Sequence, residues 1–266
     1  MNTDASNIVI VLNQPQNPSN IGAVVRAMLN MGFSSLRLVN PKPFERGQLL
    51  RVAHRSEDLI DAMQIYTSLD EALADVTYVV GASMQGTVGK PVTNDIETMS
   101  GELVRRSQSA PVALLFGTEK DGLDLFAMDR CHLVASLPVN PTYSSLNLAQ
   151  AVLIFLYELR RVAHVDAGSA AHAPKKTTTQ PYPMPKGSTP GALAPQAQLQ
   201  RLFEMTEEML HRASFFRYNP TFVLRKVRDL IFRAQPTEDE TTMLMSIVRR
   251  LLYVLNEPDQ LDNKEQ

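Results

Sequence analysis

Five short runs rich in Val, Leu and Ile mark the first part of the chain: Ile8–Leu12, Leu36–Val39, Thr77–Val80, Val112–Phe116 and Leu133–Leu137. None alternates apolar with polar positions, so each reads as a strand covered on both faces, the habit of a parallel sheet. Helical repeats lie between them. Ile21–Met31 is periodic, with Asn20 placed as an N-cap and Gly32 as a C-cap. Ser68-Leu69-Asp70-Glu71 reads as a capping box opening a helix toward Ala74. Leu146–Val162 sets Leu148, Val152, Phe155 and Leu159 on one face and ends in Arg160 and Arg161, which suit a helix C-terminus. Strand–helix alternation of this kind predicts an α/β fold built on a mostly parallel sheet.

The pattern breaks near residue 166. Ala, Gly, Ser, Thr and Pro dominate residues 166–195 without apolar period, which predicts a flexible linker. From Gln196 the period becomes helical again, in three stripes. The first holds Leu199, Leu202, Phe203, Thr206, Met209 and Leu210; the second Phe222, Val223, Val227, Leu230 and Ile231. The third holds Met243, Leu244, Ile247, Val248, Leu251, Leu252 and Leu255. Short amphipathic helices bury their faces only by packing together. The expected organisation is an α/β domain over 1–165, the linker, a small all-α extension over 196–257 and a polar tail over 258–266.

Composition narrows the function classes. Cys131 is the only cysteine, which excludes an internal disulfide framework and fits a reducing, cytoplasmic setting. No apolar run is long enough to span a bilayer, and Met1–Asn7 lacks the basic and apolar regions of a secretory signal. The net charge of −2 does not point to nucleic acid, so such a partner must be argued from local patches. One exists: between His211 and Arg233 six Lys/Arg residues face a single acid, Asp229. Arg225, Lys226, Arg228 and Arg233 lie there, with Phe215, Phe216 and Tyr218 close in sequence, a mixture suited to phosphate contacts and base stacking. A merely solvated helix face is the plain alternative.

Candidate chemistry sits where strands end, the place where open α/β sheets bind ligands. The three segments are Asn17-Pro18-Ser19-Asn20-Ile21-Gly22 running on to Arg26, Phe116-Gly117-Thr118-Glu119-Lys120-Asp121-Gly122-Leu123, and Asn140-Pro141-Thr142-Tyr143-Ser144-Ser145-Leu146-Asn147. Each has a plain structural reading. Asn20, Ser144 and Ser145 can be caps, Arg26 a solvated surface arginine, and Gly117 and Gly122 turn residues. Other motifs fail. Gly86–Lys90 hints at a phosphate-binding loop, but the first glycine is missing and Pro91 stands where Ser or Thr is needed. No Gly-x-Gly-x-x-Gly follows a strand, and the five histidines have no ligand spacing, so no metal is expected.

In order and wording, the three segments together resemble the motifs of the SPOUT methyltransferases, in the TrmH/SpoU branch. The resemblance implies transfer of a methyl group from S-adenosylmethionine (SAM) to an RNA ribose 2′-hydroxyl, and a deep trefoil knot near the C-terminal end of the α/β domain. It implies an acceptor-side role for Arg26, in a homodimer that brings this arginine near the partner's SAM. Glu119 becomes a polar strut joined to Asn20, and Ser145 and Asn147 become polar residues near the transferred methyl. Ala82, Ser83, Met84, Gly117, Leu137, Ser144, Ser145 and Leu146 become cofactor contacts. Similarity to members acting on the tRNA anticodon loop extends to Met28–Gly32, Leu38–Pro41, Pro181–Pro183 and Leu224–Pro236, which implies tRNA as partner, with position 32 as target. A ribosomal-RNA methyltransferase of the same superfamily and a non-catalytic RNA-binding or assembly factor remain the alternatives.

Overall fold

A computed structural model describes residues 7–83, 90–140, 142–143, 145–168, 191–217 and 219–256, with side chains omitted over 164–168. The chain forms two compact units that divide between Thr179 and Gln180. The first holds strands β1 (Ile8–Asn13), β2 (Leu36–Val39), β3 (Gln64–Tyr66), β4 (Tyr78–Ala82), β5 (Val92–Thr93), β6 (Val112–Phe116) and β7 (Leu133–Ala135). Its helices are α1 (Pro18–Met31), α2 (Arg46–Leu50), α3 (Glu57–Ala62), α4 (Leu69–Ala72), α5 (Ile96–Ser107), α6 (Leu125–Met128) and α7 (Leu148–Gly168).

All strand pairs in the sheet are parallel, in the order β3-β2-β1-β6-β4-β7-β5. The non-alternating strands are buried on both faces, as their composition requires. Ile8, Ile10 and Leu12 of β1 point into a core shared with α1, α5 and α7, while Val9 and Val11 point into a second core shared with α4 and α6. Two of the five expected strands have the predicted bounds, Leu36–Val39 and Val112–Phe116. The edge strands β3 and β5 were not expected. They have three and two residues, too few to carry a periodic signal.

Helix starts differ from expectation for identifiable reasons. Pro18 sits in the first turn of α1, and the cap is Asn17, whose Oδ1 accepts from the Ser19 amide at 2.9 Å. Asn20 is therefore already helical and its side chain is released for other work. Gly32 closes the helix as predicted, at φ 78°. At Ser68 only half of the box forms: Ser68 Oγ accepts from the Glu71 amide, while the Glu71 carboxylate accepts from Thr67 Oγ1. α7 starts at Leu148 with Asn147 Oδ1 accepting from the Ala149 amide at 2.9 Å, so Ser145 is not its cap; Ser144 lies outside the described residues.

The second unit contains α8 (Gln196–Arg212), α9 (Pro220–Ala234) and α10 (Glu238–Asn256). α7 continues to Gly168 in the first unit. In the second, Leu193 bridges Thr237 antiparallel, and the Ala194 amide donates to the Pro236 carbonyl. Of the expected linker, residues 166–168 belong to α7, residues 169–190 lie outside the described residues, and residues 191–195 reach the α9–α10 turn. Leu199, Phe203 and Phe232 pack in one cluster, and Leu202, Met245 and Val248 in another. The predicted second and third stripes need correction. Phe222 and Leu230 of α9, and Met243, Ile247 and Leu251 of α10, are exposed, and the inward face of α9 carries Asp229 and Phe232 instead. Among the described residues no helix is long and apolar enough to cross a membrane.

Candidate active site

The strand order reverses beside β1: the chain moves outward through β2 and β3, then crosses to the other side of β1. That switch leaves a crevice between the carboxyl ends of β1 and β6. The segment after β6 turns tightly there. Thr118 and Gly122 exchange two backbone hydrogen bonds of 3.0 Å, with Gly122 at φ 69°. Gly117 is sterically obligatory, because a Cβ on it would lie 1.9 Å from the Gly122 carbonyl oxygen. The turn projects Glu119 across the crevice into the loop that follows β1.

Glu119 Oε2 accepts from the Gln16 amide at 2.8 Å, and Oε1 accepts from the Asn17 amide at 2.9 Å and from Asn20 Nδ2 at 3.1 Å. Burial pushes the carboxyl pKa up, but these bonds, the one from Asn20 foremost, outweigh it and hold Glu119 below the usual carboxylate range. Asn20 Oδ1 in turn accepts from Asn147 Nδ2 at 2.8 Å. One hydrogen-bonded chain therefore joins all three motif segments, and it fixes which way each amide points. The backbone amides of Gln16 and Asn17 were not expected in the site. Their signal in the sequence was Pro18, which moves the cap back to Asn17 and leaves Asn20 to face Glu119.

Beside this chain lies a cleft of about 260 Å³. Of the anticipated cofactor contacts, Ala82, Ser83, Gly117, Leu137, Ser145 and Leu146 line it. Met84 and Ser144 lie outside the described residues. Phe116, Leu148 and Phe155 add apolar wall that sequence reasoning did not assign, and Glu119 stands at its edge. Apolar walls with a few polar groups and a backbone turn that tolerates no side chain suit an adenosyl group, so the residues present fit SAM. Arg26 does not line this cleft. It is exposed on α1 and, among the described residues, its side chain makes no hydrogen bond or ion pair.

The anticipated RNA contacts divide in the second unit. Lys226 and Arg233 are exposed on α9, and the Lys226 ammonium lies 5.6 Å from the centroid of the exposed Phe222 ring. Arg225 and Arg228 are half-buried, and Arg228 lies over Phe203 at 4.9 Å. Among the described residues no group of acidic, His and Cys side chains could hold a metal.

Residues 7–157, which span the whole sheet, match the SpoU rRNA Methylase family. The chain is 34% identical over 256 residues to the tRNA (cytidine/uridine-2′-O-)-methyltransferase TrmJ of Yersinia pestis strain Pestoides F, covering 96% of this chain and 93% of that one. Identity to the Klebsiella pneumoniae TrmJ is 36% over 244 residues, 91% of this chain and 95% of the relative. Among solved structures, TrmJ from Zymomonas mobilis ZM4 superposes with a TM-score of 0.75 at 28% identity, covering 92% of this chain and 98% of the other. A probable methyltransferase from Bordetella pertussis Tohama I superposes at 0.56 with 33% identity, over 60% of this chain and 99% of that one. With its sheet matched by one family throughout and its length aligned nearly end to end with methyltransferases, the chain belongs to the SpoU rRNA Methylase family and is a SAM-dependent RNA methyltransferase.

Proposed function

We propose that this enzyme methylates the 2′-hydroxyl of a cytidine or uridine ribose in tRNA, at position 32 of the anticodon loop. The observation that carries the reading is the chain Glu119–Asn20–Asn147, which ties three separate segments together at the edge of the cleft. Relatives aligned over nearly the whole chain are tRNA cytidine/uridine 2′-O-methyltransferases. When bound, SAM supplies an electrophilic methyl on a sulfonium. Ala82, Ser83, Met84, Gly117, Leu137, Ser144, Ser145 and Leu146 hold it, the Leu137–Asn147 segment threading a deep trefoil knot. Ser145 and Asn147 present polar groups toward the acceptor.

Arg26 grips the acceptor-side phosphate and stabilises charge developing on the ribose oxygen. Glu119 is not a base: both its oxygens already accept hydrogen bonds and its pKa is lowered, so it serves as a strut. A homodimer accounts for Arg26 standing away from its own cleft. The outward faces of α1 and α7 carry Leu29, Leu153, Ile154 and Tyr157, each between 39% and 53% exposed, an apolar surface suited to a second copy. Such a dimer sets Arg26 of one subunit near the SAM of the other. Lys226 and Arg233, with Arg225 beside them, make the second unit the tRNA-docking extension, while Arg228 packs over Phe203, and the substrate implies a cytoplasmic enzyme.

The test is methyl transfer from labelled SAM to separated tRNA and rRNA pools, with the modified ribose mapped. Label confined to rRNA would replace the tRNA reading with the ribosomal one. Label on tRNA outside residue 32 would correct the position alone.

A further inference from the structure

α1 is crossed closely by the end of α2 and the segment that follows it. A Cβ on Gly22 would lie 3.0 Å from both the Leu49 carbonyl oxygen and Val52 Cβ, so a side chain there would force its neighbours to shift and glycine suits the crossing. Arg26 is four residues beyond Gly22 and shares its helix face. Helical side chains lean toward the N-terminus and cover the preceding turn. Arg26 therefore lies one turn along α1 from the crossing, on the same face, and the turn after α2 carries Arg51, His54 and Arg55.

All three are exposed, and among the described residues their side chains make no hydrogen bond or ion pair. The neighbouring Arg46 differs, being spent on Asp61 at 2.7 and 2.8 Å. Glu57 and Asp58 follow in sequence, but they occupy the first turn of α3, where the helix dipole favours acids. Arg55 has a φ of 58°, a left-handed conformation that is strained for a non-glycine residue. The turn that imposes it is fixed by Ser56 Oγ, which donates to the Ala53 carbonyl at 2.6 Å in a buried setting. A strained arginine held outward on a rigid turn, beside the helix bearing the acceptor-side arginine, has the form of a preorganised anion contact.

We propose that Arg51, His54 and Arg55 extend Arg26 into a phosphate-binding arc, which grips the RNA strand flanking the acceptor ribose. This rests on the RNA 2′-O-methyltransferase reading and adds where the substrate backbone runs: over the α1–α2 crossing. Phosphate contacts set register and orientation without reading sequence, so the arc acts on affinity and positioning.

The experiment uses the full-length protein with Arg51→Gln, Arg55→Gly and the double substitution. Glycine accepts the left-handed φ, so Arg55→Gly is expected to melt at or above the parent temperature. Affinity is measured across a salt series for whole tRNA and for an isolated anticodon stem-loop, alongside SAM affinity. Each single substitution is expected to weaken both RNAs about tenfold, as for loss of a charge-assisted hydrogen bond. The slope of log affinity against log salt should flatten by about 0.7–0.9 per lost contact. The kinetic loss should fall in KM for tRNA rather than kcat, with SAM affinity unchanged. Unchanged affinity and slope in a folded double variant would overturn the arc, and so would a loss seen with whole tRNA but not with the stem-loop. Failure of the underlying reading would look different, because the unsubstituted enzyme itself would transfer no methyl to tRNA.

Discussion

Asn147 and Asn20, 127 positions apart, are joined by a 2.8 Å hydrogen bond from one amide nitrogen to the other amide oxygen. Asn147 also caps α7 through its own oxygen, and Asn20 donates to Glu119. Each amide is thus held by a partner at both ends, and the anchor is a carboxylate that only accepts. Glu119→Gln keeps the shape but replaces one acceptor by a donor, which must then face a backbone amide or Asn20 Nδ2. The expected result is a fall in single-turnover rate of about 10²-fold, typical of a lost preorganised hydrogen-bonding group, with SAM affinity changed far less. Asn20→Ala should match it, and the double variant should lose little more, because residues acting as a unit are not additive. Additive losses in that cycle would mean the chain does not work as one device.

Arg26→Ala is expected to lower methyl transfer by about 10²–10³-fold while leaving folding and SAM binding intact. Arg26→Lys should recover little, since an ammonium cannot reproduce a planar fork. In mixed dimers with a Gly117 variant unable to bind SAM, one site regains both an intact arginine and an intact cleft, so activity should partly return. Near-normal turnover by Arg26→Ala would leave it a surface residue; absence of rescue in verified mixed dimers would reject only the shared site.

The sequence made the central strands and the motif segments legible because both are local signals: unbroken apolar runs and tight spacing at strand ends. Asn20 shows where local reading stops. Its position before an apolar repeat looks like a cap, yet Pro18 shifts the helix start and the side chain turns to partners 99 and 127 residues away. α9 shows a second limit. Its apolar positions fit two overlapping faces, and packing against α8 chose the one with Phe232, leaving Phe222 and Leu230 outside. The crossing at Gly22 is a third: a glycine within a helix signals close approach but not by which segment.

Gly117→Ala should abolish SAM binding and lower stability, because the methyl would meet backbone atoms of Gly122 and Leu123 within 2.4 Å. Gly122→Ala is the contrast. Open space surrounds it, and only its φ of 69° opposes a side chain, so about 1 kcal/mol of strain is expected. Calorimetric SAM titration and thermal melts of both variants separate steric exclusion from strain.

His132 is buried, and its Nδ1 accepts from the Val79 amide at 3.1 Å. Burial first, then the nearby Lys90 and Arg106 charges, lowers its pKa to about 3. The native state keeps the ring neutral while the unfolded chain takes up a proton near pH 6.5. This contribution is therefore complete above about pH 6.5 and is lost as pH falls from there toward 3. The lowered carboxylates, Glu119 among them, add to acid sensitivity. His132→Asn, which retains an acceptor but cannot titrate, should flatten the stability–pH slope in denaturant melts between pH 6.5 and 4, whatever its effect on absolute stability. An unchanged slope would mean His132 is protonated equally in both states.

The basic residues of α9 should separate by function. Lys226 and Arg233 are exposed, beside an equally exposed Phe222, whereas Arg228 is half-buried over Phe203. Lys226→Gln and Arg233→Gln are expected to weaken tRNA binding and to flatten the salt slope by about 0.7–0.9 each, through counterions no longer released. Phe222→Ala should weaken binding without changing that slope, since stacking on a base releases no ions and is worth about 1–3 kcal/mol. Arg228→Gln should instead lower the melting temperature, because it removes a cation–π contact worth about 0.5–2 kcal/mol from the bundle. Salt-dependent binding and thermal melts on the same four variants make the distinction. If Arg228→Gln flattens the slope as much as Lys226→Gln at an unchanged melting temperature, Arg228 reaches phosphate as well. If none of the four changes tRNA affinity, the exposed face of α9 is merely solvated, and docking must fall to the first unit.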